Sequence, residues 1–164
     1  FGFLSYGLVF DPTKAAEILQ IREWLEGAAM ASAATSVNEA ELDQIEVLLA
    51  VWEKKAAAGE PTSEEDRSFH RMLYASLGNS SLLSLIDIFW VVYNALPAQT
   101  VGQDEHPLMT VQAHRDLIAA VRQRNPALAQ QRMTEHFRAI ELRFGEAIKL
   151  SKAGAEAAAS GVQA

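Results

Sequence analysis

The chain contains no cysteine, so disulfides, thiolate metal sites and cysteine nucleophiles are excluded, and a reducing compartment is compatible with it. Basic charge is in deficit: 14 Lys and Arg stand against 21 Asp and Glu, a formal net charge of −7. So acidic a chain does not grip a nucleic-acid backbone unaided. Long apolar runs are missing too. The best candidate, Leu82 to Leu96, is interrupted by Ser84, Asp87 and Asn94 and is too short for a bilayer. No secretory signal is visible, and a cytoplasmic chain with no membrane partner is expected. No strand-like alternation of any length follows residue 10. Proline is scarce, with five in 164 residues, and each one falls between periodic stretches.

What is present is helical periodicity with marked starts and stops. Asp11-Pro12 is an N-cap followed by proline at the first helical position. The helix it opens runs to about Ala34, with Ile18, Ile21, Leu25, Ala28 and Ala29 at core spacing. Asn38 with Glu41 makes a capping box for a second helix, Glu39 to Ala57, whose stripe is Leu42, Ile45, Leu49 and Trp52. After Gly59-Glu60-Pro61, Thr62 with Glu65 is expected to cap a third helix that stops at Gly78-Asn79, Asn79 serving the turn. Leu82 to Leu96 is apolar almost all round, which predicts a fourth helix buried on several sides. The polar segment from Pro97 to Pro107 suits a lid or pocket rim. A fifth helix, about Leu108 to Arg124, puts Val111, Leu117, Ile118 and Val121 on one face. Asn125-Pro126 restarts the chain as a sixth, about Ala127 to Leu150, with Ala129, Met133, Ile140 and Ala147 in a stripe. The expected fold is all-α with about six helices. Residues 1–12 read as an extended leader, 13–150 as the helical domain, and 151–164 as a flexible Ala-rich tail.

Chemistry concentrates at Asp66-Arg67-Ser68-Phe69-His70. Four residues on a helix is about 400°, so Asp66 and His70 stand one turn apart on nearly one face, and Phe69, Leu73 and Leu77 make that face apolar. His114 sits mid-face on the fifth helix and His136 at the edge of the sixth helix's stripe. His106, beside Pro107, reads as a rim or surface residue. Taken singly, a histidine on an apolar face is more often a hydrogen-bonded core residue than a ligand. Three of them with an inward aspartate would need separate buried partners, whereas one divalent cation satisfies every one. Asp66, His70, His114 and His136 give N₃O ligation, with zinc first and nickel, manganese, cobalt or iron as alternatives. An octahedral ion would keep two positions for a bidentate carboxylate or hydroxycarboxylate. Arg22 lies inside the first helix's stripe and needs an anionic partner, either such a ligand or the nearby Glu26. Pocket specificity would turn on polar residues such as Tyr93, Asn94, Gln112 and Arg132.

Catalytic metal patterns fit less well. There is no His-Glu-x-x-His, and the residues three before the histidines are Arg67, Gln103, Val111 and Met133, which removes the di-iron pattern. A 2-His-1-carboxylate iron site keeps three positions open, and a third histidine closes one of them. Glu26 remains as a candidate base, so a mononuclear metal enzyme acting on a small carboxylic acid is the alternative. A purely structural bundle with neutral buried histidines is the third reading.

The pattern resembles the FCD domain, the C-terminal ligand-binding domain of FadR-subfamily GntR-type transcription regulators. The matching pieces are Arg22-Glu23-Trp24-Leu25-Glu26, Asp66 to His70, Gly78-Asn79, His114 to Ala120, Asn125-Pro126 and the run Ala129 to His136, across roughly residues 13 to 148. The resemblance implies an antiparallel bundle with a central metal held by Asp66, His70, His114 and His136. It also implies a small organic acid effector (a sugar acid, hydroxy acid or dicarboxylate) whose carboxylate meets Arg22, and a homodimer. DNA binding would belong to an N-terminal winged helix-turn-helix, for which there is no room before residue 13; Phe1 to Phe10 would be a remnant of its wing or linker. The expected role is a sensor and not an enzyme.

Overall fold

The computed structural model describes the backbone of residues 12–95 and 104–161, with side chains over 16–95 and 104–142. Six helices follow in order: α1 Pro12–Ser36, α2 Glu39–Ala57, α3 Ser63–Ala75, α4 Ser80–Ala95, α5 Pro107–Arg122 and α6 Pro126–Gly161. The all-α expectation is borne out. The expected leader lies almost wholly outside the described residues, as does most of the expected lid.

Side-chain bridges fix the topology. Gln130 on α6 reaches Gly27 of α1, and Arg124 just before α6 reaches the carbonyls of Ala34 and Val37, so α1 and α6 run antiparallel. Arg115 pairs with Glu46 and Glu53, while Arg122 pairs with Glu39 and Asp43, which sets α2 antiparallel to α5. Arg67 and Arg71 of α3 both grip Asp87 of α4. Inside this frame lies one apolar core, in which Trp52, Phe69, Tyr74 and Phe137 are the largest fully buried side chains.

The helix ends explain the frame. Asn38 and Glu41 form both halves of the expected capping box, at 2.9 and 2.8 Å. Asn79 caps α4 by accepting the Leu82 N–H at 3.0 Å, after Gly78 has turned the chain at φ 62°. Asn125 does the same for α6 through Leu128 at 3.1 Å.

Four expectations need correction. Ile21 and Ala28, expected at core spacing on the first helix, are exposed, because Leu19, Arg22, Glu26 and Met30 hold the inward side of α1. Thr62 makes no side-chain cap: its ψ of 12° lies outside the extended region a cap requires, and Glu65 turns instead to Lys55 at 2.6 Å. The helix expected to end near residue 150 continues to Gly161 through an alanine-rich stretch, alanine being the best helix former. Finally, α4 is not buried on several sides: Leu82, Ile86, Phe89 and Trp90 face the core, but Leu85, Ile88 and Val91 are exposed.

Candidate metal centre

Three helices deliver the candidate ligands. α3 carries Asp66 and His70 one turn apart, α5 carries His114 and α6 carries His136. One ring nitrogen from each of His70, His114 and His136 lies within 4.8 Å of the other two. Asp66 Oδ1 stands 3.2 Å from His70 Nε2 and 3.6 Å from His114 Nε2. Neither approach has hydrogen-bond geometry. Asp66 Oδ1 and the Nε2 atoms of all three histidines are buried with no bonding partner.

The opposite side of two of these rings explains which nitrogen is free. His70 Nδ1 donates to Glu26 Oε2 at 2.5 Å, and His114 Nδ1 donates to the Thr110 carbonyl at 2.7 Å. With the proton on Nδ1, each ring turns a bare Nε2 lone pair to the centre. Trp52 and Phe69 wedge the His114 ring from two sides, with centroids at 4.4 and 4.6 Å.

Burial and neighbouring charge shift three of these groups. Burial alone would raise the Asp66 carboxyl, but the neighbouring His114 and His70 outweigh it and hold it well below 3.8. Burial, then His114 and His70, push His136 well below 6.5, so it is a neutral imidazole at ordinary pH. Burial works against charge on His70 as well, yet the Glu26 carboxylate prevails and raises it. An orphaned buried polar atom costs about 1–3 kcal/mol, and four of them converge here. Metal–nitrogen bonds of about 2.0–2.1 Å bring ligand atoms within roughly 3–4 Å of one another, so one ion is within reach of the set. The residues present fit a divalent cation bound by N₃O donors.

Arg22 is buried, its Nε on Glu26 Oε1 at 2.5 Å. Its guanidinium lies over Phe89 at 4.4 Å, Trp90 at 5.1 Å and Phe137 at 5.3 Å, and its Nη2 is buried without a partner. Of the two partners expected for Arg22 the structure shows Glu26, and that pair leaves Nη2 of the fork without a partner. A cavity of about 400 Å³ opens between α5 and α6, bounded by Asp104, His106 and Thr110 on one side and Arg132 and His136 on the other. A smaller one of about 150 Å³ reaches Arg22 between α1 and α4.

The other pocket expectations fare unevenly. Tyr93 is half-buried and packs on Phe89 and Trp90, below Arg22. Asn94 is exposed at the end of α4, and Gln112 is exposed and bonded to Asp116 at 2.8 Å; neither lines a cavity described here. His106 and Arg132 do line one. Glu26 is the residue whose place sequence reasoning missed. Its spacing from Arg22 signalled a pair, but nothing local signalled the contact with His70.

A helical bundle that brings three histidines together, with an aspartate beside two of them, defines, as a class, an all-α domain with a candidate metal centre. The chain belongs to the FCD domain family, whose model matches residues 17–139. The resemblance to the FCD domains of GntR-type transcription regulators is thereby borne out. Among curated proteins the chain is similar to NedR of Micromonospora viridifaciens, a proposed transcriptional regulatory protein. The two are 29% identical over 94 residues, 57% of this chain and 68% of that one. Among solved structures it is similar to a GntR of Streptococcus agalactiae, with a TM-score of 0.66 and 24% identity over 77% of this chain. It spans only 57% of that protein's chain. It is also similar to the metal-free FCD domain of TM0439, a proposed transcriptional regulator, with a TM-score of 0.68 and 18% identity, covering 85% of this chain and 97% of that one.

Proposed function

We propose that this chain is a metal-dependent effector-sensing domain of a GntR-type transcription regulator, and that its effector is a small organic acid. One observation carries the reading: ring nitrogens of His70, His114 and His136 lie within 4.8 Å of one another, Asp66 Oδ1 stands beside two of them, and all four donor atoms are buried without partners. A bound divalent ion, zinc first, would supply a Lewis-acidic anchor for a ligand carboxylate. The chain's own residues do the remainder. Arg22 offers its free Nη2 to an anion from a fully desolvated position, where a charge-assisted bond is strong.

Charge narrows the ligand. With neutral histidines, a divalent ion and Arg22 outweigh Asp66 and Glu26 by one positive charge. The buried centre therefore suits one entering carboxylate accompanied by neutral hydroxyls, as in a hydroxy acid or sugar acid. The enzyme alternative loses its base, since both Glu26 oxygens are already engaged.

Switching needs a second copy. The face formed by Ile21 and Trp24 of α1 with Leu85, Ile88 and Val91 of α4 is exposed and apolar, and the only charged side chain of α4, Asp87, turns to α3. Uncharged apolar side chains give a chain of net charge −7 a patch on which its own copy can pack without like charges in direct contact. An effector that binds one arrangement of the pair better than another would reorient attached DNA-binding domains. No described helix is long and apolar enough to cross a membrane, in keeping with a cytoplasmic regulator.

Elemental analysis tests the base of the proposal. Protein purified without added metal should carry about one divalent ion per chain. Absence of any ion even after soaking with zinc, nickel and manganese overturns it. A thermal-shift screen of hydroxy, sugar and dicarboxylic acids against the loaded protein should then select a monocarboxylate, returned chemically unchanged.

A further inference from the structure

We propose that Glu26 is the positioning residue that joins the two halves of the centre, fixing His70 in the tautomer that presents its Nε2 while aiming Arg22 at an anion. This rests on the metal-and-acid reading above and assigns a route by which the two halves communicate.

A carboxylate only accepts hydrogen bonds, and each Glu26 oxygen receives one donor: Arg22 Nε at Oε1 and His70 Nδ1 at Oε2, both at 2.5 Å. Glu26 is fully buried, so water cannot replace either donor. The consequence on α3 is that Nδ1 carries a proton toward Glu26, so the neutral His70 ring, the form a metal binds, presents a bare Nε2. On α1, the Nε contact and the rings of Phe89, Trp90 and Phe137 hold the guanidinium and leave Nη2 buried and unpaired. The backbone is pinned as well, because Tyr74 of α3 donates its hydroxyl to the Glu26 carbonyl at 2.9 Å.

The two metal-facing histidines with visible supports differ in a telling way. His114 leans on a carbonyl of its own helix, Thr110, and so reports nothing about other helices. His70 leans on a charged group of another helix, and that group is shared with the anion-binding arginine. An anion that draws Arg22 toward itself loosens its hold on Oε1, and the carboxylate's charge falls more fully on His70. A more strongly held Nδ1–H makes Nε2 a better donor to a metal. Anion and metal then favour each other through this chain's own side chains, beyond any direct contact between them.

The experiment compares wild type with Glu26→Gln. A glutamine has one acceptor and one donor, so it cannot accept from both Arg22 and His70. Zinc affinity, read by chelator competition, should fall by roughly 10–100-fold. Nitrogen NMR of zinc-free protein, followed up in pH until the His70 ring is neutral, should show it wholly in the Nδ1–H form in wild type and as a tautomer mixture in the variant. If Glu26→Gln does not fold, the wild-type spectrum still decides: a neutral His70 ring with its proton on Nε2 overturns the proposal. A variant that binds zinc within twofold of wild type overturns it while leaving the metal-and-acid reading intact. Wild type that takes up no zinc at all overturns both.

Discussion

Arg22 and Glu26 stand where burial makes charge expensive, and each is tolerable only because of the other. Arg22→Ala leaves the Glu26 carboxylate fully buried with one donor instead of two. Removing one partner of a buried pair costs about 3–5 kcal/mol, which urea unfolding of the metal-free variant should register. The same substitution should weaken organic acid binding sharply while zinc remains bound. Equal loss of zinc and acid would make Arg22 purely structural. At this scale the sequence was a good guide to which way these side chains face, because helical spacing alone puts Asp66 and His70 on one face and turns His114 and His136 inward on theirs. It was a poor guide to Glu26, Asn94 and Gln112. Which side chain meets His70, and which polar residues line a cavity, depends on how α1, α4 and α5 are rotated against their neighbours. Periodicity in one helix carries no information about that.

Single elements were legible where the stop and start signals are chemical, as at Asn38, Asn79 and Asn125, and less so where packing decides. The fourth helix shows the difference: composition made it look buried all round, yet one face is exposed in the single chain. Uniform hydrophobicity cannot distinguish a helix covered by its own chain from one left for another copy. At the junction of α5 and α6, Arg124 adopts a left-handed φ of 52°, unusual for a residue with a Cβ. Its guanidinium bonds the carbonyls of Ala34 and Val37 at the end of α1 and pairs with Glu39. It therefore closes the C-terminal end of α1 from across the bundle. Arg124→Ala should cost about 1–2 kcal/mol through those lost bonds. Arg124→Gly loses the same bonds but relieves the left-handed backbone, and should be more stable than the alanine variant by about 1 kcal/mol. The reverse order in thermal unfolding would show that the backbone there carries no strain.

For the whole molecule, a metal held by His70, His114 and His136 would cross-link α3, α5 and α6, and its binding energy would be folding energy. Zinc at a thousandfold excess over its dissociation constant adds about 4 kcal/mol, or about 10 °C in Tm for a domain of this size. Protons compete for the same donor atoms, which fixes the sign of the pH dependence. His136 is held well below its usual 6.5, so the unfolded chain takes up a proton below that pH that the fold refuses, and stability falls as pH drops. The lowered Asp66 and Glu26 act in the same sense further down: their stability is present above 3.8 and 4.5 and is lost as pH falls through their folded values. His70, which is raised, works the other way in stripped protein, gaining below 6.5 and losing that gain as pH rises through its folded value. Zinc must displace that His70 proton, so the gain of the stripped fold is a penalty for the loaded one. The difference in Tm between zinc-loaded and chelator-stripped protein should therefore begin to shrink as pH falls through the raised folded value of His70, above its usual 6.5, and go on shrinking below it. A difference that stays constant from about pH 8 to about pH 5.5 would mean that the histidines are not the ligands.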